Sequence, residues 1–409
     1  MSPPAAVDLG AIDEAAARIE GHVRRTPCRI ASALSTMTGC TLALKFENLQ
    51  ETASFKDRGA SNKLSQLTAE ERKRGVIAMS AGNHAQGTAY HSQRLNIPAT
   101  IVMPQFTPTM KVEKTRRYGA EIKLEGDSLE TAALAARDIA AERKLVFIHP
   151  YDDPAIIAGQ GTIAREMLDD VADLDTIIVP IGGGGLIAGI ATAAKTLKPS
   201  IEIIGVEAAL YPSMYRAIRG LPDEPGGATI AEGIAVKSPG VLTREIVERL
   251  VDDILLVDEA AIEGAILSLL EYEKSVVEGA GAAGLAAVQT HASRFRGRTV
   301  GLVICGGNID SRLLSDVILR GLVRSERLIH LRLAVPDRPG SLAQATAIIA
   351  EHGGNVVEVA HRRAFSKSSV KHVDLDIVME TRGRDHARDI GLALTAAGLI
   401  VERLDQSGP

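Results

Sequence analysis

The chain has 409 residues, 45% hydrophobic, 24% charged and 3% aromatic, with a net charge of −5 at neutral pH. This is ordinary globular composition with room for about two to four domains, and it lacks the basic residues interleaved with rings that nucleic-acid binding needs. Cys28, Cys40 and Cys305 form no CxxC pair, which argues against a zinc ribbon or a disulfide framework. No apolar run reaches the roughly 18 residues of a membrane span and the N-terminus has no secretory pattern, so the expectation is a cytoplasmic protein without membrane or nucleic-acid partners.

Short apolar runs alternate with helical periodicity along the first three quarters of the sequence. In chain order the pattern predicts a strand over 41–45, a helix over 57–67, a strand over 76–79, a helix over 84–95, a strand over 99–103, a helix over 110–118 and a strand over 121–124. Helices over 128–142 and 159–168 follow, then a strand over 176–180, a helix over 186–197, a strand over 201–206, a helix over 260–273 and a strand over 299–304. Strand and helix in repeated alternation predict an α/β protein with mostly parallel sheet, because parallel neighbours need crossover helices. Near residue 325 the pattern changes. "LIHLRLAVPDRPGSLAQATAIIAEHGGNVVEV", "HVDLDIVMET", "GRDHARDIGLALTAAG" and "LIVERL" read β-α-β-β-α-β, the ferredoxin-like unit. The expected division is a domain over 1–322 with a small lobe inserted at about 45–150, a linker over 323–328 around "RSER", and a second domain over 329–409.

Several strand-to-helix junctions carry small residues with a polar tip. "ETASFKDRGA" places Lys56 where an extended run turns helical, a position that a solvated cap also explains. In "DTIIVPIGGGGLIAGIATAAKTL", Gly182, Gly183, Gly184 and Gly185 can bring backbone N–H groups to an anion at a helix start. The P-loop is excluded because no Gly-Lys-Ser/Thr follows. A dinucleotide fingerprint is not: Gly183, Gly185 and Ala188 fit GxGxxA over 183–188, and Glu207 lies about 20 residues on. "SAGNHAQG", "IAEGIAVKSPG", "SVVEGAGAAG" and "CGGN" supply further junctions, and in an open α/β sheet such ends line one crevice.

Lys56 in "SFKDRGA", Asn83 in "SAGNHAQG", the loop "GGGGLIAG" and the closing "CGGN" stand in the order and approximate spacing of fold-type II pyridoxal phosphate enzymes. Over roughly residues 10–322 the chain most resembles the threonine dehydratase (threonine ammonia-lyase) branch, beside serine dehydratase and serine racemase. The resemblance implies pyridoxal 5′-phosphate as cofactor, a two-lobed catalytic region like the tryptophan synthase β subunit, and Lys56 as the residue that carries the cofactor. It implies that Gly182, Gly183, Gly184, Gly185 and Leu186 hold its phosphate. Asn83 then bonds its 3′-oxygen, Phe55 packs beside its ring, and Cys305 faces its pyridine nitrogen. Close dehydratases often have Ser at that last position, and serine dehydratases can have Cys. Gly233 and Glu278 fall on loops around the cofactor, and the stretch Ser80, Ala81, Gly82, Asn83 and His84 matches the loop that clasps the substrate carboxylate.

The implied reaction is β-elimination of water and deamination of threonine, and of serine as well, to a 2-oxo acid and ammonia, serving isoleucine synthesis or threonine catabolism. In the racemase branch a cation sits near the counterpart of Glu207, but Ser213 stands where a second ligand, an aspartate, would fall; this argues against a divalent site at Glu207, leaves a monovalent ion or none, and no metal is assigned. The last segment resembles an ACT domain, which implies regulation in a homodimer or homotetramer, with an amino-acid effector near Asp337, Arg338, Gly340 and Asn355. The competing readings are an NAD-dependent oxidoreductase on the 183–188 loop, a serine racemase-like enzyme, and a non-catalytic amino-acid sensor.

Overall fold

The computed structural model describes residues 7–222, 226–363 and 371–404. The chain divides into two compact units, one ending at Ile309 and one starting at Asp310. Among the described residues no helix is long and apolar enough to cross a membrane.

Among its described residues the first unit holds ten strands: β1 (Cys28–Ile30), β2 (Thr41–Lys45), β3 (Val76–Met79), β4 (Ala99–Met103), β5 (Glu121–Leu124), β6 (Val146–Phe147), β7 (Thr176–Pro180), β8 (Glu202–Ala208), β9 (Asp253–Val257) and β10 (Thr299–Val303). They form a six-stranded sheet in the order β1-β2-β10-β7-β8-β9 and a four-stranded sheet in the order β5-β4-β3-β6. Every pairing is parallel except β1 with β2. The small sheet is therefore inserted in the chain between β2 and β7. Strand β7 is buried along its whole length, and so are ten consecutive residues of the helix Gly185–Leu197. Both faces of a parallel sheet are covered, so its strands read as continuous Ile/Val runs.

Two helices pack closely enough to set the Lys56 region. In the helix Lys56–Ser65, Gly59 lies against the backbone of the helix Pro154–Asp170; a Cβ on Gly159 would come within 2.7 Å of the Gly59 Cα. Only glycine at both positions allows this approach. The helix Pro154–Asp170 starts earlier than the predicted 159–168, because Asp153 caps it through Ala155 N and Pro154 occupies its first turn.

The Lys56 helix is also tied down by charge. Arg58 is fully buried and forks onto two carboxylates: Nε and Nη2 donate to Glu47 at 2.8 Å each, while Nη1 and Nη2 donate to Glu166 at 2.7 and 2.8 Å. Lys45, also buried, donates to Glu166 and to the Thr26 carbonyl. Two cations thus face two carboxylates, and β2, the short turn Glu47–Leu49, the Lys56 helix and the helix Pro154–Asp170 meet in one network. Burial alone would raise the Glu47 pKa, but the Arg58 guanidinium holds it below the usual carboxylate range.

The second unit begins with the helix Ser311–Arg324 and continues with β11 (Leu328–Pro336), β12 (Asn355–Arg362), β13 (His372–Glu380) and β14 (Ile400–Arg403), paired antiparallel in the order β12-β13-β11-β14. The sequence-based division at 322/323 puts the helix Ser311–Arg324 with the first domain; in the structure it packs on β11. Ile329, Leu331, Leu333 and Val335 alternate inward along β11. They form a core with Ile349 of the helix Ser341–Glu351 and Ile390 and Leu394 of the helix Arg384–Ala396. This is the β-α-β-β-α-β order read from the sequence.

The Arg58 network yields a stability test. Removing one partner of a buried pair leaves uncompensated charge, so Arg58→Met is expected to cost about 3–5 kcal/mol. Denaturant unfolding of the first unit checks this, and a loss under about 1 kcal/mol would contradict it.

Candidate active site

The carboxyl ends of the parallel strands gather the polar junctions, as an open α/β sheet requires. Strand β3 leads into Ser80–Asn83, β6 into His149–Asp152, β7 into Gly182–Gly185, and β10 into Cys305–Asn308. Chain segments far apart in sequence then close into a ring of contacts.

The ring starts at Lys56. Ser54 bridges Gly306 antiparallel, Phe55 N donates to the Cys305 carbonyl at 3.0 Å, and Gly307 N donates to the Ala53 carbonyl at 2.9 Å. "SFK" and "CGGN" are thus one short sheet-like pairing. Lys56 Nζ donates to the Pro150 carbonyl at 2.6 Å and stands 5.0 Å from the centre of the Phe55 ring. The next residue, Tyr151, lays its ring on the glycine loop: a Cβ on Gly183 would sit 2.3 Å from that ring. Gly184 has φ of 96°, which only glycine adopts without strain, and it leads into the helix Gly185–Leu197. The first N–H groups of that helix have no partner within it and face the loop. Thr243 Oγ1 holds the Gly183 carbonyl at 2.7 Å.

From the glycine loop the ring returns by another path. Gly182 packs against Gly233 and Ile234, and Gly233 packs against Glu278 and Ala280. Glu278 accepts from Asn83 Nδ2 at 2.7 Å, and its own N–H donates to the Gly306 carbonyl at 3.1 Å. Phe55, Lys56, Asn83, Gly182, Gly183, Gly184, Gly185, Gly233, Glu278 and Cys305 are thereby brought together, with Leu186 buried directly behind the loop. Ser80, Ala81 and Gly82 lie half-buried beside Asn83, and the Ser80 hydroxyl accepts from Gly82 N at 3.1 Å. The side chain of His84 turns into the core, where Nε2 meets the Ile148 carbonyl at 2.9 Å, so only its backbone faces the loop.

Electrostatics follow from the loss of solvent. Desolvation lowers the Lys56 pKa from 10.5 to about 8, against the pull of Cys305 and Glu278. About a tenth of the amine is then neutral, and so nucleophilic, at pH 7, far more than for a lysine at its ordinary value. Burial raises Glu278 to about 7, and it pushes the Cys305 thiol well above its ordinary value, which keeps the sulfur protonated. His84 falls to about 3 for the same reason and stays neutral.

Glu207 stands apart from this ring. It is buried, and its two oxygens accept from Met214 N and Tyr215 N at 2.8 Å each, capping the short helix Ser213–Ile218. Among the described residues no group of three or more His, Cys, Asp or Glu is arranged to hold a metal ion. Sequence reasoning missed Pro150, Tyr151 and Asn308. The first two follow the two-residue strand β6, too short for a periodicity signal; Asn308 lay inside a quoted motif but has no chemistry of its own to flag it. The candidate effector residues lie in the second unit. Asp337, Arg338 and Gly340 share the loop after β11, whereas Asn355 opens β12. Pairing of Pro336 with His372 and of Leu328 and Asn355 with Glu380 puts them at opposite ends of one ladder, roughly 26 Å apart.

The residues suit an aldehyde-bearing phosphorylated cofactor. A desolvated amine can take the aldehyde, N–H groups cradled by glycine can take the phosphate, and a neutral thiol lies on the far side of the lysine's own strand pairing. The sequence matches the family of pyridoxal-phosphate dependent enzymes over residues 19–306 and the ACT domain over 329–390. An L-threonine ammonia-lyase of Thermotoga maritima is 45% identical over 397 residues, 97% of this chain and 99% of that protein. One from Geobacter sulfurreducens is 43% identical over 396 residues, 96% and 98% of the two chains. Among solved structures, threonine deaminase isoform 2 of Solanum lycopersicum superposes with a TM-score of 0.73 at 34% identity, covering 76% of this chain and 87% of that one. Maize serine racemase gives 0.72 at 37% identity, over 77% and 99%. The chain belongs to the pyridoxal-phosphate dependent enzyme family, among the relatives that include the L-threonine ammonia-lyases, and carries an ACT domain after its catalytic unit.

Proposed function

We propose that this protein is a threonine ammonia-lyase that also accepts serine, converting L-threonine to 2-oxobutanoate and ammonia. The observation that carries the reading is Lys56. It is a desolvated amine with a pKa near 8, held by the ring of contacts that joins the glycine loop, Asn83 and Cys305. Pyridoxal phosphate, when bound, supplies a conjugated electron-withdrawing ring to the substrate's α-carbon. Lys56 Nζ would hold the cofactor's aldehyde carbon and, as a free amine, would take the substrate's α-proton. Backbone N–H groups of Gly182–Leu186 would hold the phosphate, and the backbone of Ser80–His84 would hold the substrate carboxylate. Phe55 would flank the ring and Asn83 would donate to its oxygen, with Gly233 and Glu278 enclosing that side. Cys305, a neutral thiol, gives no proton to the ring nitrogen. A ring nitrogen left unprotonated would withdraw electrons less strongly, which would favour loss of the β-hydroxyl over transamination. The elimination product, once released, hydrolyses to the 2-oxo acid and ammonia.

Lys56→Ala is expected to fold, because a helix-start lysine adds little to the core. It should lose the visible absorbance of bound cofactor and lower 2-oxo acid formation by about 10²–10⁴-fold or more. A variant with normal turnover contradicts the assignment.

The likeness to maize serine racemase suggests a second reading. A racemase needs a proton donor on the cofactor face opposite the lysine. Ala81, beside Asn83 in the carboxylate loop, has none to give. D-amino acid formation, followed by chiral chromatography during turnover, is expected to be slow beside 2-oxo acid formation; comparable rates would reverse the choice.

For the ACT domain we propose an amino-acid effector, isoleucine or valine, bound between two copies in a homodimer or homotetramer. Pairing two ACT domains would set the Asp337–Gly340 loop of one copy against Asn355 of the partner subunit, which answers their separation within one chain. Within one chain Asp337 pairs with Arg363 at 3.0 Å and Asn355 with Glu380 at 2.8 Å. Binding must favour one conformational state over another to alter rate. Isoleucine, valine and threonine, titrated separately into the full-length enzyme, should shift rate or cooperativity in at least one case, and Asn355→Ala should weaken that response. No response to any of the three would leave the domain without an amino-acid effector of this kind.

A further inference from the structure

Asn308 takes part in three hydrogen bonds at the edge of the site. Its Nδ2 donates to the Thr52 carbonyl and to Asn83 Oδ1, both at 2.8 Å. Its backbone N–H donates to the Glu278 carboxylate. Asn83 Nδ2 donates to the same carboxylate, at Oε1, 2.7 Å away. Asn83, Glu278 and Asn308 therefore form a closed hydrogen-bonded ring. It is tightly packed: a Cβ on Gly306 would lie 2.2 Å from Glu278 Oε1 and 3.1 Å from Asn83 Nδ2.

The ring has a direction, and its direction starts at Thr52. A carbonyl oxygen cannot donate, so the Asn308 atom facing Thr52 must be the nitrogen. That same nitrogen faces Asn83, so the Asn83 atom it meets must be the oxygen. From the other side, the Glu278 carboxylate demands a donor and meets Asn83 Nδ2. Turned over, the Asn83 amide would set oxygen against the carboxylate and nitrogen against nitrogen. Its orientation is thus determined by Asn308, and by Glu278 as well whenever that carboxyl is ionised. Asn83 Nδ2 uses one of its two N–H groups on Glu278; the other has no partner among the described residues.

Thr52 is fixed in turn by the lysine segment. Its N–H and hydroxyl both donate to the Asp57 carboxylate, at 3.0 and 2.5 Å, and Asp57 follows Lys56 directly. One chain of hydrogen bonds runs Asp57, Thr52, Asn308, Asn83, Glu278.

We propose that Asn308 is a positioning residue: it sets which way round the Asn83 amide sits, so that Asn83 presents an N–H rather than a carbonyl oxygen to the cofactor's ring oxygen. The proposal rests on the reading, given above, that Asn83 faces the cofactor. Pyridoxal phosphate carries a phenolic oxygen beside its aldehyde. An N–H stabilises negative charge there, and a carbonyl oxygen repels it. Orientation therefore acts on cofactor affinity and on the bound cofactor's absorption, not on folding alone.

The test uses the full-length protein, stripped of cofactor and reloaded with pyridoxal phosphate, in wild type, Asn308→Asp, Asn308→Ala and Asn83→Ala. Asn308→Asp keeps the side chain's shape but replaces the donor by an acceptor. A packing role makes it the mildest change; an orienting role makes it at least as harmful as Asn308→Ala. The expected result is a cofactor dissociation constant raised about tenfold in both Asn308 variants, with a displaced visible band. Adding either change to Asn83→Ala should bring little further loss, because both act through one group. Wild-type affinity and wavelength in Asn308→Asp would overturn the proposal, and so would losses that multiply in the double variant. If Asn308→Ala fails to fold, the near-isosteric Asn308→Asp decides alone. A wild-type constant and band in Asn83→Ala would instead remove the premise that Asn83 faces the cofactor, while leaving Lys56→Ala as the separate test of the activity.

Discussion

The fork of Arg58 onto Glu47 and Glu166 is the interaction on which the site's geometry depends. A guanidinium without solvent is costly unless each donor is used, and here all three nitrogens are engaged at 2.7 to 3.0 Å. The groups that satisfy it come from separate elements, so they hold their places relative to each other. Lys56 lies two residues before Arg58 at the start of the same helix, and its position is inherited from the network. The glycine contact between Gly59 and Gly159 adds a steric constraint to the electrostatic one.

Around that fixed helix, loss of water does the chemical tuning. The same desolvation acts in opposite directions on groups of opposite charge: it lowers the lysine and raises the glutamate and the thiol. The result is a site where Lys56 and Glu278 titrate close to neutral pH while the thiol stays protonated. Such a site can receive a highly charged phosphorylated cofactor without first displacing an internal salt bridge. Lys56 in this structure is held by a backbone carbonyl and not by a carboxylate, which leaves its amine free to exchange partners.

The ACT unit is built on different physics. Its sheet is antiparallel and buries one face, so its strands alternate, as β11 does from Ile329 to Val335. β12 stands at one edge with much of its length exposed, including Val357 and Val359. Edge strands of this kind are open to further pairing.

Much of the fold was legible because its signals are local. Alternating apolar runs and helical patterns announced the parallel sheets, and the β-α-β-β-α-β order of the last segment needed only periodicity. The glycine run and "SFKDRGA" announced themselves as unusual junctions, and their order matched a family. Local signals failed where an element is too short or its cause lies elsewhere. Strand β6 has two residues and exists because β3 offers it a partner. The helix Gly279–Thr290 is two thirds Gly and Ala and carries no amphipathic stripe, since it is buried all round from Gly279 to Val288. By itself the sequence determined the α/β class, the two-part organisation and the lysine and glycine motifs. Only the tertiary structure decided which of these groups come together, that Glu207 caps a helix, and that Asn308 donates to Asn83. Those facts depend on contacts between residues up to 256 positions apart, as between Asn308 and Thr52, and no local pattern encodes the direction of a hydrogen bond across such a distance.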